Sequence, residues 1–179
     1  MDLIATNVDG VVIVDLQRHA DERGWFARAY CSREFEAAGL NPTVVQANIA
    51  SNRLAGTLRG LHHQVLPASE AKLVRCIRGS VFDVAVDLRP GSPTFLSYFG
   101  LVLDSASYRG LYVPEGCAHG YLTLTDDTDV VYLVSEFYTP GAEAGIRWDD
   151  PALAIEWPAQ VRVISEKDAS WPYLPRTGS

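Results

Sequence analysis

The sequence predicts an all-β protein, an antiparallel sandwich or barrel. Short segments rich in β-branched residues recur along it, and turn signals separate them. One stretch alone has helical character. There is no alternation of strands with long helices, no G-x-G-x-x-G and no P-loop, which argues against a dinucleotide-binding α/β fold.

Val11 to Asp15 is short and almost wholly β-branched, the first strand. Ser32 to Gly39 is the helix, with Ser32 as the expected N-cap and Gly39 as the expected stop. Strands are then expected over Val44 to Ile49, Thr57 to Gln64, Lys72 to Arg78 and Ser80 to Leu88. Arg78-Gly79-Ser80 turns between the last two. Pro90-Gly91-Ser92-Pro93 precedes a strand over Leu96 to Leu103, and Pro114-Glu115-Gly116 follows one over Gly110 to Val113. Gly120 to Leu124 and Thr128 to Ser135 flank the turn at Asp126-Asp127, and Pro140-Gly141 marks a further turn. From Trp148 the chain loses periodicity; Trp148, Trp157 and Trp171 are expected to pin this tail by burying large rings. Arg176 to Ser179 are expected to fray.

Length and charge narrow the function. A chain of 179 residues suits one domain, 1–179, that buries roughly 70% of its unfolded surface. Its net charge of −7 argues against non-specific nucleic-acid binding, so any anion site must be built locally. No apolar run reaches membrane-spanning length, and the first residues lack a signal-peptide pattern, which together predict a cytoplasmic protein. Cys31, Cys76 and Cys117 are far apart with no C-x-x-C pair, so a zinc knuckle is not expected. Cys76 reads as a small core hydrophobe, while Cys117 near His119 leaves a nucleophile open as an alternative.

His62 and His63 are adjacent in a strand and point to opposite faces. Gln64 stands where a His-x-His metal pair would place its second ligand, and Lys72 is an unfavourable neighbour for a divalent cation; no metal is expected. Arg59 and Lys72 put cations in apolar strands, and Arg23 sits in a turn. Buried charge is costly unless paired or ligand-bound, so these cations are either snorkelling or salt-bridged, or they line an anion pocket. Read alone, Tyr132 is an ordinary core aromatic, Asp168 a cap or anchor for the tail, and Lys72 a partner of Glu70 or Asp83.

The stretches Asp21-Glu22-Arg23-Gly24, Val45-Gln46-Ala47-Asn48, Gly56-Thr57-Leu58-Arg59-Gly60-Leu61-His62, Ala71-Lys72-Leu73-Val74 and Val84-Ala85-Val86-Asp87-Leu88-Arg89 carry a resemblance. So do Pro114-Glu115-Gly116-Cys117-Ala118-His119-Gly120, Trp148-Asp149-Asp150-Pro151 and Ser165-Glu166-Lys167-Asp168. Together they resemble the dTDP-4-dehydrorhamnose 3,5-epimerase family of sugar-nucleotide 4-ketose epimerases, over about 150 residues and in order. The resemblance implies a cupin-type antiparallel jelly-roll barrel with a few short helices, acting as a homodimer with a shared active site, on a nucleotide-diphosphate sugar, with no cofactor. It implies His62 as base, Asp168 as the carboxylate that orients its imidazole, Lys72 as the charge beside the enolate oxygen, and Tyr132 as acid. It further implies substrate contacts from Arg23, Gln46, Asn48, Arg59, His119, Glu143 and Lys167, with Arg23 supplied by the partner subunit.

Arg28 stands where the rhamnose-pathway members usually carry Glu, and Ala50 replaces a common Ser, which bears on the nucleobase and the sugar rather than on the proton chemistry. The reaction implied is epimerisation at C3 and/or C5 of a nucleotide-linked 4-keto-6-deoxy sugar, foremost dTDP-4-dehydro-6-deoxy-D-glucose. The alternatives are a 3- or 5-monoepimerase on a CDP- or GDP-linked sugar, a non-catalytic sugar-binding cupin, and a metal-dependent cupin. On a regular strand Arg59 and His62 have opposite parity and cannot both face one pocket. An irregularity at Gly60 is therefore expected.

Overall fold

The structure is a computed structural model that describes residues 1–175, so the fraying expected at Arg176 to Ser179 lies outside the described residues. In chain order the first elements are β1 (Asp2–Ala5), β2 (Val12–Asp15), β3 (His19–Asp21), β4 (Gly24–Phe26), α1 (Ser32–Ala37), β5 (Gln46–Asn52), β6 (Thr57–Gln64) and β7 (Lys72–Arg78). They are followed by β8 (Ser80–Asp87), β9 (Tyr98–Asp104), β10 (Gly110–Val113), β11 (Cys117–Thr123), β12 (Thr128–Val134), β13 (Glu143–Gly145), β14 (Val163–Ile164) and α2 (Glu166–Ala169).

Two sheets face each other as a jelly-roll sandwich. One runs β1-β2-β10-β7-β12-β5; the other runs β13-β6-β11-β8-β9, with β14 added parallel to β6. Val74, Cys76, Leu111 and Val130 from the first sheet meet Val81, Ala85, Leu103 and Tyr121 from the second, forming the inter-sheet core. The ridge of α1 covers the outer face of the first sheet. Its Phe35 is buried with Val14, Leu73 and Tyr112, and its ring stands edge-on to Tyr112 at 5.7 Å.

Two local expectations need correcting or completing. The N-cap of α1 is Cys31, not Ser32, and no side chain caps it. Ser32 already lies inside the first turn, and the helix end is satisfied instead at its C-terminus. There Gly39 N–H donates to Glu36 O and Leu40 N–H to Phe35 O, a Schellman closure with Gly39 at φ +73°. The short strands β1, β3, β4, β13 and β14 have too few residues to show periodicity, and sequence reading missed them.

The tail is pinned as its tryptophans predict. Trp157 packs edge-on against Phe82 at 5.9 Å and donates Nε1–H to Trp148 O at 3.0 Å. Trp171 lies so close to Gly145 that a Cβ there would sit 2.4 Å from the indole. Among the described residues no helix is long and apolar enough to cross a membrane.

The irregularity expected in β6 is present. His119 of β11 pairs with His62, but Tyr121 pairs with Arg59, so two steps on β11 oppose three on β6. The extra residue is a bulge that restores Arg59 and His62 to one face. Gly60 makes it feasible. Its φ is +108°, and a Cβ there would lie 2.6 Å from both Gly120 Cα and His119 O.

Candidate active site

At one end of the sandwich the inward positions turn from apolar to polar. From the first sheet β5 supplies Gln46 and Asn48, β7 Lys72, and β12 Tyr132. Tyr132 lies beside Asn48 on one side and Val74 on the other, so these side chains share a face. From the second sheet β6 supplies Arg59 and His62, and β11 supplies His119; α2 closes the far wall with Asp168. An outer cavity of about 450 Å³ and an inner recess of about 120 Å³ share His62, Lys72 and Tyr132. His62 and Tyr132 thus stand on opposing sheets with the cavity between them.

Burial sets the chemistry of these groups. His62 is held down to about 3, first by desolvation and then by the charges of Lys72, His119 and Lys167, so its imidazole is neutral at pH 7. Burial pushes the Tyr132 phenol above its ordinary value, against the opposing pull of the Arg59 charge. Lys72 Nζ lies 3.0 Å from Glu70 Oε1, both nearly buried, and Glu70 Oε2 also accepts from Gln64 Nε2 at 3.2 Å. Of the two partners left open for Lys72 in sequence, Glu70 is the one it takes.

His119 is tied to Asp83: Nε2 and Oδ1 are 2.8 Å apart, and Asp83 is fully buried with its second oxygen unpartnered. The carboxylate fixes the ring's orientation. Sequence reasoning weighed Asp83 only as a partner for Lys72. A lone carboxylate within Val81-Phe82-Asp83-Val84-Ala85 is the same signal that exposed the cations, applied to an acid.

Asp168 differs from expectation. Its Oδ2 accepts from Gly60 N–H at 3.3 Å, and among the described residues it makes no hydrogen bond to the His62 ring. The bulge is the reason: it turns the Gly60 N–H toward α2, whose N-cap Ser165 accepts from Asp168 N–H at 3.0 Å. Glu143 borders the outer cavity and forms an ion pair with Lys167, which lies 5.8 Å above the Trp171 ring.

Arg23 and Arg28 do not line this cavity within one chain. Arg23 pairs with Asp21 on the exposed β3–β4 hairpin, and Arg28 pairs with Glu34 at 3.0 Å, which also receives the Met1 amino group at 2.9 Å. Cys117 sits in the apolar core with its thiol pushed up to about 12 by burial, which is the wrong direction for a nucleophile. Among the described residues no three His, Cys, Asp or Glu side chains gather as a ligand set for a metal.

A neutral imidazole, an ammonium and a phenol around one cavity can remove a proton, stabilise the anion left behind, and return a proton from the other side. Comparison with known proteins agrees with that chemistry. Residues 5–176 match the family model described as dTDP-4-dehydrorhamnose 3,5-epimerase. The dTDP-4-dehydrorhamnose 3,5-epimerase of Shigella flexneri is 43% identical over 169 residues, covering 94% of this chain and 93% of the relative. The crystal structure of the Bacillus anthracis enzyme of that name, with TDP and PPi bound, superimposes with a TM-score of 0.92 at 38% identity, covering 97% of this chain and 99% of the other. A dTDP-6-deoxy-D-glucose-3,5-epimerase from Legionella pneumophila, in complex with dTDP-4-keto-L-rhamnose, gives 0.89 at 37% identity, covering 96% and 92%.

Proposed function

The chain belongs to the dTDP-4-dehydrorhamnose 3,5-epimerase family, and from that membership we propose its reaction. It epimerises a nucleotide-linked 4-keto-6-deoxy sugar at C3 and C5, with dTDP-4-dehydro-6-deoxy-D-glucose as substrate and dTDP-4-dehydro-L-rhamnose as product. The C4 ketone makes the hydrogens on C3 and C5 acidic. His62, neutral in its buried setting, takes one of them. The electron pair moves to the C4 oxygen, where the Lys72 ammonium stabilises the enolate. Tyr132 then protonates the same carbon from the opposite side. The observation that carries this reading is the placement of His62 and Tyr132 on facing sheets across one cavity, since inversion needs base and acid on opposite faces of the ring.

Asp168 acts on His62 through the backbone: by holding Gly60 N–H it supports the bulge that aims His62 and Arg59 together. His119 contacts the sugar in the inner recess. Gln46, Asn48 and Glu143 meet the nucleotide in the outer cavity, and Arg59 and Lys167 meet the diphosphate. Arg23 and Arg28 complete the site from a second copy of the chain. The exposed hairpin supports this, with Phe26 71% and Trp25 44% accessible.

The test is incubation with dTDP-, CDP- and GDP-linked 4-keto-6-deoxy sugars in heavy water, with the exchange positions read by NMR. Deuterium at both C3 and C5 of the dTDP sugar is expected. Exchange confined to one centre would make the protein a monoepimerase, and faster exchange on a CDP or GDP sugar would move the nucleobase assignment. No exchange on any of them would defeat the proton chemistry.

A further inference from the structure

We propose that Asn52 is a positioning residue for the substrate's diphosphate, clamping Arg59 at Nε so that both terminal nitrogens of the guanidinium face the cavity. This rests on the nucleotide-sugar reading above. Arg59 reaches the inner recess through the β6 bulge, and its side chain is otherwise exposed. Among the described residues no carboxylate lies within ion-pair distance of it, whereas Lys72 and Lys167, the other cations at this site, are each paired. Its charge is therefore free for an anion.

A free arginine samples many rotamers, and fixing one on binding lowers affinity. Asn52 removes that freedom in advance. It is only 3% accessible, and its Oδ1 accepts from Arg59 Nε at 2.8 Å. The amide cannot turn over. Its Nδ2 donates to Thr128 O at 3.0 Å and lies 3.3 Å from the Tyr121 hydroxyl, and a flipped amide would set oxygen against the Thr128 carbonyl. The acceptor is thus locked onto Nε. Among the described residues the only further hydrogen bond of the fork is a long one of 3.5 Å from Nη2 to Ser51 O, leaving the planar end open for bidentate contact with phosphate oxygens.

The test is dTDP affinity by calorimetry in wild type, Asn52→Leu, Arg59→Lys and the double variant. Asn52→Leu is expected to weaken dTDP about tenfold, the scale of ordering one long side chain. It is expected to cause no further loss in the Arg59→Lys background, because lysine has no Nε–H to clamp. An unchanged affinity in Asn52→Leu, or a full tenfold loss on top of Arg59→Lys, would overturn the positioning role, the latter by showing that Asn52 acts on the fold at large. If Asn52→Leu does not fold, the wild type still decides. A slowly exchanging Arg59 Nε–H resonance in the ligand-free protein, identified by its loss in Arg59→Lys, is expected, and its absence overturns the clamp. Wild type that binds no dTDP would sink the nucleotide-sugar reading instead.

Discussion

The space between the two sheets has two ends built from the same strands. At one end β7 contributes Val74 and Cys76, and β12 contributes Val130, to an apolar core. Two residues away on the same faces, β7 contributes Lys72 and β12 contributes Tyr132 to a polar cavity. From Val130 to Val134 β12 keeps one register against β7, so on these two strands the same ladder runs from the core into the cavity. What differs along it is the side chain, and with it the purpose of burial. In the core, burial gains hydrophobic stabilisation. In the cavity, burial costs solvation and returns altered proton affinities, as the depressed imidazole of His62 shows. Stability and chemistry are therefore assigned to opposite ends of one sandwich, and variants at the two ends should fail in different ways.

The sharpest separation comes from His62→Ala. Deuterium exchange at both C3 and C5 should fall by about 10²–10⁴-fold, the usual worth of a general base. The melting transition should stay cooperative, because among the described residues no other residue makes a hydrogen bond to the His62 ring that the fold would lose. Undiminished exchange in this variant, followed by NMR in heavy water, would remove His62 from the role of base and blur the division between the two ends.

The converse is Leu111→Ala. Leu111 is fully buried in the core, paired with Ile13 and Val74. Its truncation should cost about 2–5 kcal/mol of unfolding free energy in a urea titration. Turnover per folded molecule should change by less than threefold. A large loss of turnover at full folding would mean that the core end positions the cavity end, and that the two are not separable.

The two ends also differ in how far they can be read from sequence. The core end is a matter of pattern. The bounds of β6 and β7 agree with expectation residue for residue, because runs rich in apolar residues are closed by turn signals such as Arg78-Gly79-Ser80. Even the bulge was deducible, since Arg59 and His62 cannot share a face across a regular strand and Gly60 stands between them. The cavity end depends on which strands the fold sets beside or across from one another. Asp83 and His119 are 36 residues apart, and Asn52 and Arg59 meet only because β5 and β6 lie on facing sheets. Neither pairing has a local signature. Asp168 is of the same kind: the residue lines the recess with His62 as expected, but its hydrogen bond from Gly60 N–H is set by the bulge and not by any spacing. Arg23 and Arg28 pair with Asp21 and Glu34 outside the cavity of one chain.

The smallest expected effect concerns acidity. Above pH 6.5 an unfolded chain and the folded protein both carry His62 neutral, so its burial does not weaken the fold there. As pH falls below 6.5 the unfolded imidazole takes a proton, while the folded one, held to about 3, does not. The unfolded state then binds more protons, so stability falls as pH falls from 6.5 toward 3. His62→Ala should flatten that part of the stability–pH curve, measured as urea midpoints at pH 7 and pH 4.5. In the wild type the same depression keeps the base unprotonated in the free enzyme. kcat/KM should show no decline centred near pH 6.5, and Lys72→Met should raise the pH of the acidic decline by removing a nearby positive charge. A wild-type decline at 6.5 would mean that His62 is solvated like an exposed histidine. The imidazole of the cavity end would then be solvated no differently from one on the ordinary surface of the protein.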